Sequence, residues 1–517
     1  MQRKLAVMLA MAASLLLAQA PAPPVQTAPP PQLVSLNVIA VDSHGDPVTD
    51  LKDTDLKVED EGKPQQIALL RPNAAKPALS SPPQPGEYSG RTAPTVRQTT
   101  VILFDLLNEP INTSAVSDQE LVAALEHAES PEHIFLEILT RAGDLYPVRD
   151  LTLSETVNAD GGAPWTRQIH ADLDKAMRDV LRRRSGVNLE VVPRINSTYQ
   201  ALANVATRMS AIPGRKTLIW VTQGVPIEMR AASQPIDFSP LLNKLAATMN
   251  QARISAYTVQ QSMRGAGAGD DQSSLTLQRL AELTGGRSYA SDRIAQALKE
   301  SATDARAGYR LGYYLPAEYW DGKFHKIRVS ASRPGVRIQT ISGYYAIPDK
   351  TTLVDKERAV LEAAARTPFD ASAVSISAVV TPSTKNAGAF NYQIHIDAAD
   401  MPLLQRGERF TAQLVLTFLE FDNEGPLHPS GLVIRPKLMT DPLTVNVDLS
   451  QDQAANARIN GLRVSVPKDI AIDSSIHTVR LLVYNRTADE YGTLTMPVAG
   501  APLAEPLDQF PPIRPAP

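Results

Sequence analysis

The segment R-K-T-L-I-W-V-T-Q-G-V-P, residues 215–226, decides the fold. Its centre, Leu218 to Val221, is an unbroken apolar run that gives way at once to Thr222, Gln223 and Gly224. A strand with one wet face alternates polar and apolar residues. An unbroken run ending in a polar turn is a strand buried on both faces. Working outward, Val101-Ile102-Leu103-Phe104 is a second such run, closed by Asp105. Ile134 to Leu139, Leu145 to Leu153 and Ile254 to Val259 are further strand-like runs. Helical periodicity lies between them, near 117–128, 165–183, 197–212, 239–252, 273–284 and 292–305. Strands alternating with helices predict an α/β unit over 99–315, with a mostly parallel, doubly wound sheet and helices on both faces.

On either side the pattern turns to β. Residues 33–71 hold Leu33 to Val41, a turn at Gly45-Asp46-Pro47, and a hairpin from Leu56-Lys57-Val58 through Glu61–Pro64 to Gln65–Leu70. After residue 307 the chain reverts to β at Tyr309 to Leu315, the last strand assigned to the 99–315 unit, and residues 316–348 continue it at Phe324 to Ser330 and Val336 to Ile341. These two segments are expected to pack together, because short connections favour neighbours. A helical linker follows at 352–366. Residues 370–500 carry many alternating strands and almost no helix, which predicts a β-sandwich. Proline-rich stretches at 21–32, 72–98 and 501–517 hold 18 of the 41 prolines and read as a spacer, a flexible connection and a tail.

Composition narrows the function. With 51 Lys and Arg against 55 Asp and Glu, the net charge is −4, so no basic excess points to nucleic acid. There is no cysteine, which removes disulfides, thiolate metal sites and thiol nucleophiles. Residues 1–20 read as a secretory signal: Arg3 and Lys4, the apolar run Leu5–Leu17, then Ala18-Gln19-Ala20 as a cleavage site. Pro21 hinders cleavage, and an uncleaved anchor is the alternative. No other stretch is long and apolar enough to span a membrane. The expectation is an exported protein, periplasmic or extracellular.

Beyond residues 215–226, several motifs stand in order: D-L-K-V-E-D-E-G-K-P (55–64), A-E-L-T-G-G-R-S-Y (281–289), Y-R-L-G-Y-Y-L-P (309–316), D-G-K-F-H-K-I-R-V (321–329) and G-Y-Y-A (343–346). Together they resemble the bacterial secreted proteins called VWFA-related, of acidobacterial type, over about residues 33–346. R-L-L-V-Y-N-R-T-A-D-E-Y-G-T-L (480–494) resembles a closing strand pair often found with them. The resemblance implies a von Willebrand factor A-like, Rossmann-like fold, combined with β-sandwich modules. It also implies protein binding through a metal at the carboxyl edge of the sheet. That metal site needs D-x-S-x-S after the first strand, a threonine from a second loop and an aspartate from a third.

Here Asp105 holds the first position, Leu107 replaces the first serine and Glu109 the second. Asn196 or Thr198 stands near the threonine position, and Gln223 replaces the last aspartate. The expectation is a degenerate site in which Asp105, Asn108 and Glu109 hold Mg²⁺ or Ca²⁺, with Asn196, Thr198 and Gln223 on an edge-binding surface. The competing reading is that Asp105 and Asn108 only tie down their loop by hydrogen bonds.

Other signals read blandly. Arg178, Arg182, Arg183 and Arg184 suit a solvated helix end. His127 and His133 lack H-E-x-x-H spacing and read as surface residues. Thr284-Gly285-Gly286-Arg287 is no phosphate loop and reads as a helix end. Asp270-Asp271 reads as solvated, Trp220 as core. The set Tyr309, Tyr313, Tyr314, Tyr344 and Tyr345 reads as packing where the α/β unit meets the β strands. No G-x-S-x-G elbow occurs. The expectation is a non-enzymatic protein-binding module for adhesion or assembly. A metal-assisted hydrolase using the strand-edge carboxylates, and a purely structural envelope protein, are the alternatives. Neither the partner nor the oligomeric state can be read from the sequence.

Overall fold

The computed structural model describes residues 31–73, 86–89, 98–108, 123–125, 128, 133–150, 169–182, 190–210, 215–230, 234–261, 271–290, 293–366, 370–371, 373–421, 437–438, 441–467, 469–472 and 478–497. The signal segment, most of the first proline-rich spacer, the C-terminal tail, Glu109, His127, Arg183, Arg184 and Asp270 lie outside them.

The chain begins with β1 (Gln32–Val41), β2 (Leu56–Asp60), β3 (Lys63–Gln65), β4 (Leu69–Pro72) and β5 (Glu87–Ser89). The α/β unit then runs β6 (Gln98–Asp105), β7 (Ile134–Leu139), β8 (Leu145–Arg149), α1 (Ile169–Arg182), α2 (Val191–Ser210) and β9 (Arg215–Thr222). It continues through the hairpin β10 (Glu228–Arg230) and β11 (Pro235–Asp237) to α3 (Ser239–Gln251), β12 (Ile254–Gln260), α4 (Asp271–Thr284), β13 (Ser288–Ala290) and α5 (Ile294–Ala307). One sheet of six strands forms in the order β13-β12-β9-β6-β7-β8. All its pairings are parallel except β7 with β8.

The two apolar runs lie at its centre, and their side chains divide by the period of two. Val101, Leu103, Leu218 and Trp220 enter the core under α2, α3 and α4. Ile102, Phe104, Ile219 and Val221 enter the core on the other face, with residues of α1 and α5. A strand feeding two cores has no polar side, which is why the sequence does not alternate. α3 starts with proline in its first turn, where the missing N–H has no helical partner to lose.

After the α/β unit come β14 (Gly308–Leu315), β15 (Phe324–Ala331), β16 (Arg337–Gln339) and β17 (Gly343–Tyr345). They join the first strands in two four-stranded sheets, β16-β1-β14-β4 and β17-β15-β2-β3. β1 pairs with β14 from Gln32↔Leu315 to Ile39↔Gly308. Thus residues 308–315, expected at the end of the α/β unit, are a central strand of this β module. The long return strand expected at 65–70 also divides. β3 pairs with β2, and β4 crosses to the other sheet to pair with β14. Tyr309, Tyr313 and Tyr344 are core residues of the module.

Within the module, distant motifs meet on one buried carboxylate. Asp60 Oδ2 accepts from the Tyr313 hydroxyl at 2.6 Å and from Tyr344 at 2.9 Å. Its Oδ1 lies 2.9 Å from His325 Nδ1, and His325 Nε2 lies 3.4 Å from Asp321. Burial pushes the Tyr313 and Tyr344 hydroxyls up, and the Asp60 carboxylate adds to the shift. Both stay protonated and able to donate.

Helix α6 (Leu353–Arg366) leads to β18 (Ile376–Pro382), β19 (Ala389–Ile396), β20 (Leu404–Arg406), β21 (Arg409–Phe421), β22 (Lys437–Leu438) and β23 (Leu443–Leu449). Then come α7 (Gln451–Asn460), β24 (Leu462–Ser465), β25 (Ile470–Ala471), β26 (Thr478–Asn485) and β27 (Glu490–Pro497). Two sheets, β24-β19-β18-β5 and β20-β21-β26-β27, enclose one core; β25 joins the first, and β22 and β23 join the second. This is a β-sandwich, with two differences from expectation. Residues 87–89, read as part of a flexible connection, are an edge strand paired with β18. The ten-residue helix α7 interrupts the strands. It has no apolar stripe, but Ser450 and Gln453 form a capping box at its start.

The three units meet at Glu490. Arg253 of the α/β unit reaches it at 2.8 Å, and Arg310 of the β module meets the same carboxylate oxygen. Among the described residues, no helix is long and apolar enough to cross a membrane.

Candidate functional site at the sheet edge

The strand order reverses between β6 and β9, which are neighbours in space but separated in sequence by β7, β8, α1 and α2. Open α/β sheets bind ligands outside the carboxyl ends of their strands at such a reversal. β6 ends there at Asp105, and β9 at Thr222.

Strand parity places the side chains. Asp105 follows Val101 and Leu103 onto the α2 face; Thr222 follows Leu218 and Trp220 onto the same face. Asp105 Oδ2 accepts three hydrogen bonds: Thr222 Oγ1 at 2.7 Å, Asn108 Nδ2 at 2.7 Å and Trp220 Nε1 at 3.2 Å. Its Oδ1 accepts from the Asn108 backbone N–H at 3.1 Å. Asn108 Nδ2 also donates to Thr198 Oγ1 on α2, at 2.8 Å. The Thr198 hydroxyl in turn donates to the Arg194 carbonyl at 2.9 Å. Thr222 Oγ1 accepts from the Gly224 N–H at 2.8 Å, which fixes the start of the following loop.

Asp105 is 1% exposed and Asn108 9%. Burial raises the Asp105 carboxyl above its ordinary value, against the hydrogen bonds from Asn108, Thr222 and Trp220, which lower it. A carboxyl raised on folding stabilises most fully below about pH 4 and loses that contribution as the pH rises through its folded value. Asp105→Asn is therefore expected to flatten the acid side of the stability profile. Urea titrations between about pH 4 and pH 7 check this, and an unchanged slope contradicts it.

The structure brings Asp105, Asn108 and Thr198 together. Thr198 is fully buried and so is not part of a surface. Asn196, exposed on α2, and Gln223, partly buried just after β9, lie around the edge. Trp220 and Thr222 complete the cluster, and neither was singled out as functional from the sequence. Their parity with Asp105 on an adjacent strand was the available signal. His133, read as a surface residue, is buried at the start of β7, at the opposite edge of the sheet.

A hard divalent cation wants about six converging oxygens, at 2.0–2.6 Å depending on the ion. The described members of the set, Asp105 and Asn108, do not fit one with the residues around them. Leu107 is buried in the core under α2, so its position offers neither oxygen nor space. Asn108 turns its NH₂ group, not its oxygen, toward Asp105 and Thr198. An ionised carboxylate only accepts, so the donor end of the amide must face it. Among the described residues, no group of three or more His, Asp or Glu side chains is placed to hold a metal.

No protein-family model matches the chain, and no curated protein does. Among solved structures, it is similar to a point mutant of the PilB minor pilin from Streptococcus sanguinis, at 12% identity and a TM-score of 0.25. That match covers 42% of this chain and 62% of the pilin. A second is an aerotolerance-related membrane protein from Bacteroides fragilis, at 11% identity, a TM-score of 0.23, and 40% and 98% coverage. A third is the pilus adhesin SpaC from Lactobacillus rhamnosus GG in an open conformation, at 8% identity, a TM-score of 0.27, and 87% and 57% coverage. At such scores these likenesses carry no inference about the edge.

Proposed function

We propose that the chain is an exported, non-enzymatic protein-binding module for adhesion or assembly. In this reading it is of von Willebrand factor A-related type, and its partner contacts the carboxyl edge of the six-stranded sheet around Asn196 and Gln223. One observation carries the reading: the reversal of strand order falls where Asp105 and Thr222 lock the ends of β6 and β9 together. The result is a rigid rim rather than a reactive centre. Asp105 is tied by four hydrogen bonds, and no described histidine is bonded to it, so a base poised for hydrolysis is not what its surroundings favour. The signal-like N-terminus and the proline-rich stretches suit a module displayed outside the cytoplasm.

The test is binding of the labelled mature protein to cells that lack their own copy of it. The double variant Asn196→Arg, Gln223→Arg is expected to weaken binding about tenfold or more with its circular dichroism unchanged, a loss of about 1.4 kcal/mol. Undiminished binding would move the interface elsewhere. Turnover of ester, phosphate or glycoside substrates that Asp105→Asn abolishes would favour the hydrolase reading instead.

A further inference from the structure

We propose that this edge is built to work without a cation, the side-chain amide of Asn108 standing where a divalent ion would bridge Asp105 and Thr198. The argument is one of position and charge. Nδ2 lies between the two oxygens, 2.7 Å from Asp105 Oδ2 and 2.8 Å from Thr198 Oγ1. A bridging ion would have to occupy nearly the same point, because its own oxygen distances are 2.0–2.6 Å. The amide hydrogens supply partial positive charge in two directions, as the ion would in more.

The surroundings commit the residues to this arrangement. Asn108 grips Asp105 twice, with its backbone N–H on Oδ1 and its amide on Oδ2. Thr198 gives its proton to the Arg194 carbonyl, so its lone pairs face Asn108. Trp220 aims its indole N–H at Oδ2, and that group can only donate. A cation beside Oδ2 would meet the positive end of this fixed dipole. The charge of Asp105 is answered by hydrogen-bond donors alone, in a site closed to water.

Without the amide, two oxygens with lone pairs would face one another across an empty gap. Asn108 is therefore the group that occupies the bridging point, and replacing it by an acidic residue should open that point to a cation. Asn108→Asp removes the donor and sets a second carboxylate beside the first, a repulsion that a divalent ion relieves. Asn108→Ser removes the amide without adding charge. For the partner, the consequence is recognition by neutral amide and hydroxyl groups that persists in a chelator. That consequence rests on the binding reading above, whereas the place of the amide does not.

The experiment titrates Mn²⁺ into the mature protein by calorimetry, with melting followed in EDTA and in Mn²⁺. The wild type is expected to show no saturable uptake up to about 1 mM and the same Tm in both. Asn108→Asp is expected to take up Mn²⁺ saturably, to melt several degrees higher in Mn²⁺ than in EDTA, and to lose both effects when Asp105→Asn is added. If Asn108→Asp folds only in Mn²⁺, the proposal stands. If it folds in neither, Asn108→Ser decides by the same Mn²⁺ response. Saturable binding by the wild type that Asp105→Asn abolishes would overturn the proposal. So would folded Asn108→Asp and Asn108→Ser proteins that both ignore Mn²⁺. None of these outcomes involves a partner, so failure here is separable from failure of the binding reading.

Discussion

Replacing Asp60 by alanine is expected to cost the β module about 3–5 kcal/mol, the range for removing one partner from a buried charged network. The carboxylate is 2% exposed and receives Tyr313, Tyr344 and His325. Without it, two hydroxyls and a ring nitrogen remain in the core with no acceptor at that point, and each such loss costs about 1–3 kcal/mol. Tyr313→Phe or Tyr344→Phe removes one donor with its partner still served by others, so each should cost only about 1 kcal/mol. The three residues share one network, so their costs should not add. Urea titrations of the variants check this. The chain has several units, so the comparison belongs to the transition of the module and not to a single global value. An Asp60→Ala protein as stable as either phenylalanine variant would show that the cluster does not hold the module together.

Gly286→Ala is expected to be the most damaging small change in the α/β unit. A Cβ there would lie 2.0 Å from the Ala256 carbonyl oxygen, and backbone in a central strand has nowhere to move. The cost should reach about 3 kcal/mol, the upper end of what overpacking usually exacts. Gly285 provides the control. Its φ is +71°, but its nearest neighbour is a methyl of Ile341 at 3.3 Å. Gly285→Ala should therefore cost only about 1–2 kcal/mol for the left-handed backbone. Melting curves of the two proteins decide, and equal losses would contradict the packing argument. The pair explains its motif. Gly285 ends α4 and Gly286 lets β13 approach β12. Arg287 then grips Asp304 on α5 with two bonds of 2.9 and 2.8 Å, and Tyr289 reaches Glu300 at 2.8 Å. The signature is a clamp between the last strand and the last helix of the unit.

What was legible in the sequence follows from periodicity. Leu218–Val221 and Val101–Phe104 had to be strands with two buried faces, and both are central in the sheet. Most helices lie close to the expected spans because each buries one stripe. Two kinds of feature were illegible. The first is the register of distant segments and the pairing of very short ones. Nothing within Glu87–Ser89 announces an edge strand, because three residues carry no period and their partner lies near residue 378. Tyr309–Leu315 was legible as a strand of the returning β segment, but it alternates as a strand of either neighbouring unit would, and the register with Gln32–Ile39 is what makes it central in the module. The second is an element without a stripe: α7 buries only Ala454 and Ala457, so it shows in the sequence through its cap alone.

At the candidate site, Asp105 and Asn108 were legible as a pair, from residue type and from the end of an apolar run. Their use was not. Whether Asn108 presents oxygen or NH₂ depends on Thr198, ninety residues away, and on the carboxylate it faces. Trp220 looked like simple core, and it is core, but its indole N–H also serves the carboxylate.

The central claim is that the carboxyl edge of the six-stranded sheet meets a protein partner. The most direct measurement places a photo-crosslinking residue at position 223 of the protein in its own cells. A second protein carries it at position 459, where Ile459 is exposed at 82% on α7 of the sandwich. The account predicts a discrete protein adduct from position 223 and none from position 459. Adducts from position 459 alone would contradict it and make the sandwich the working surface.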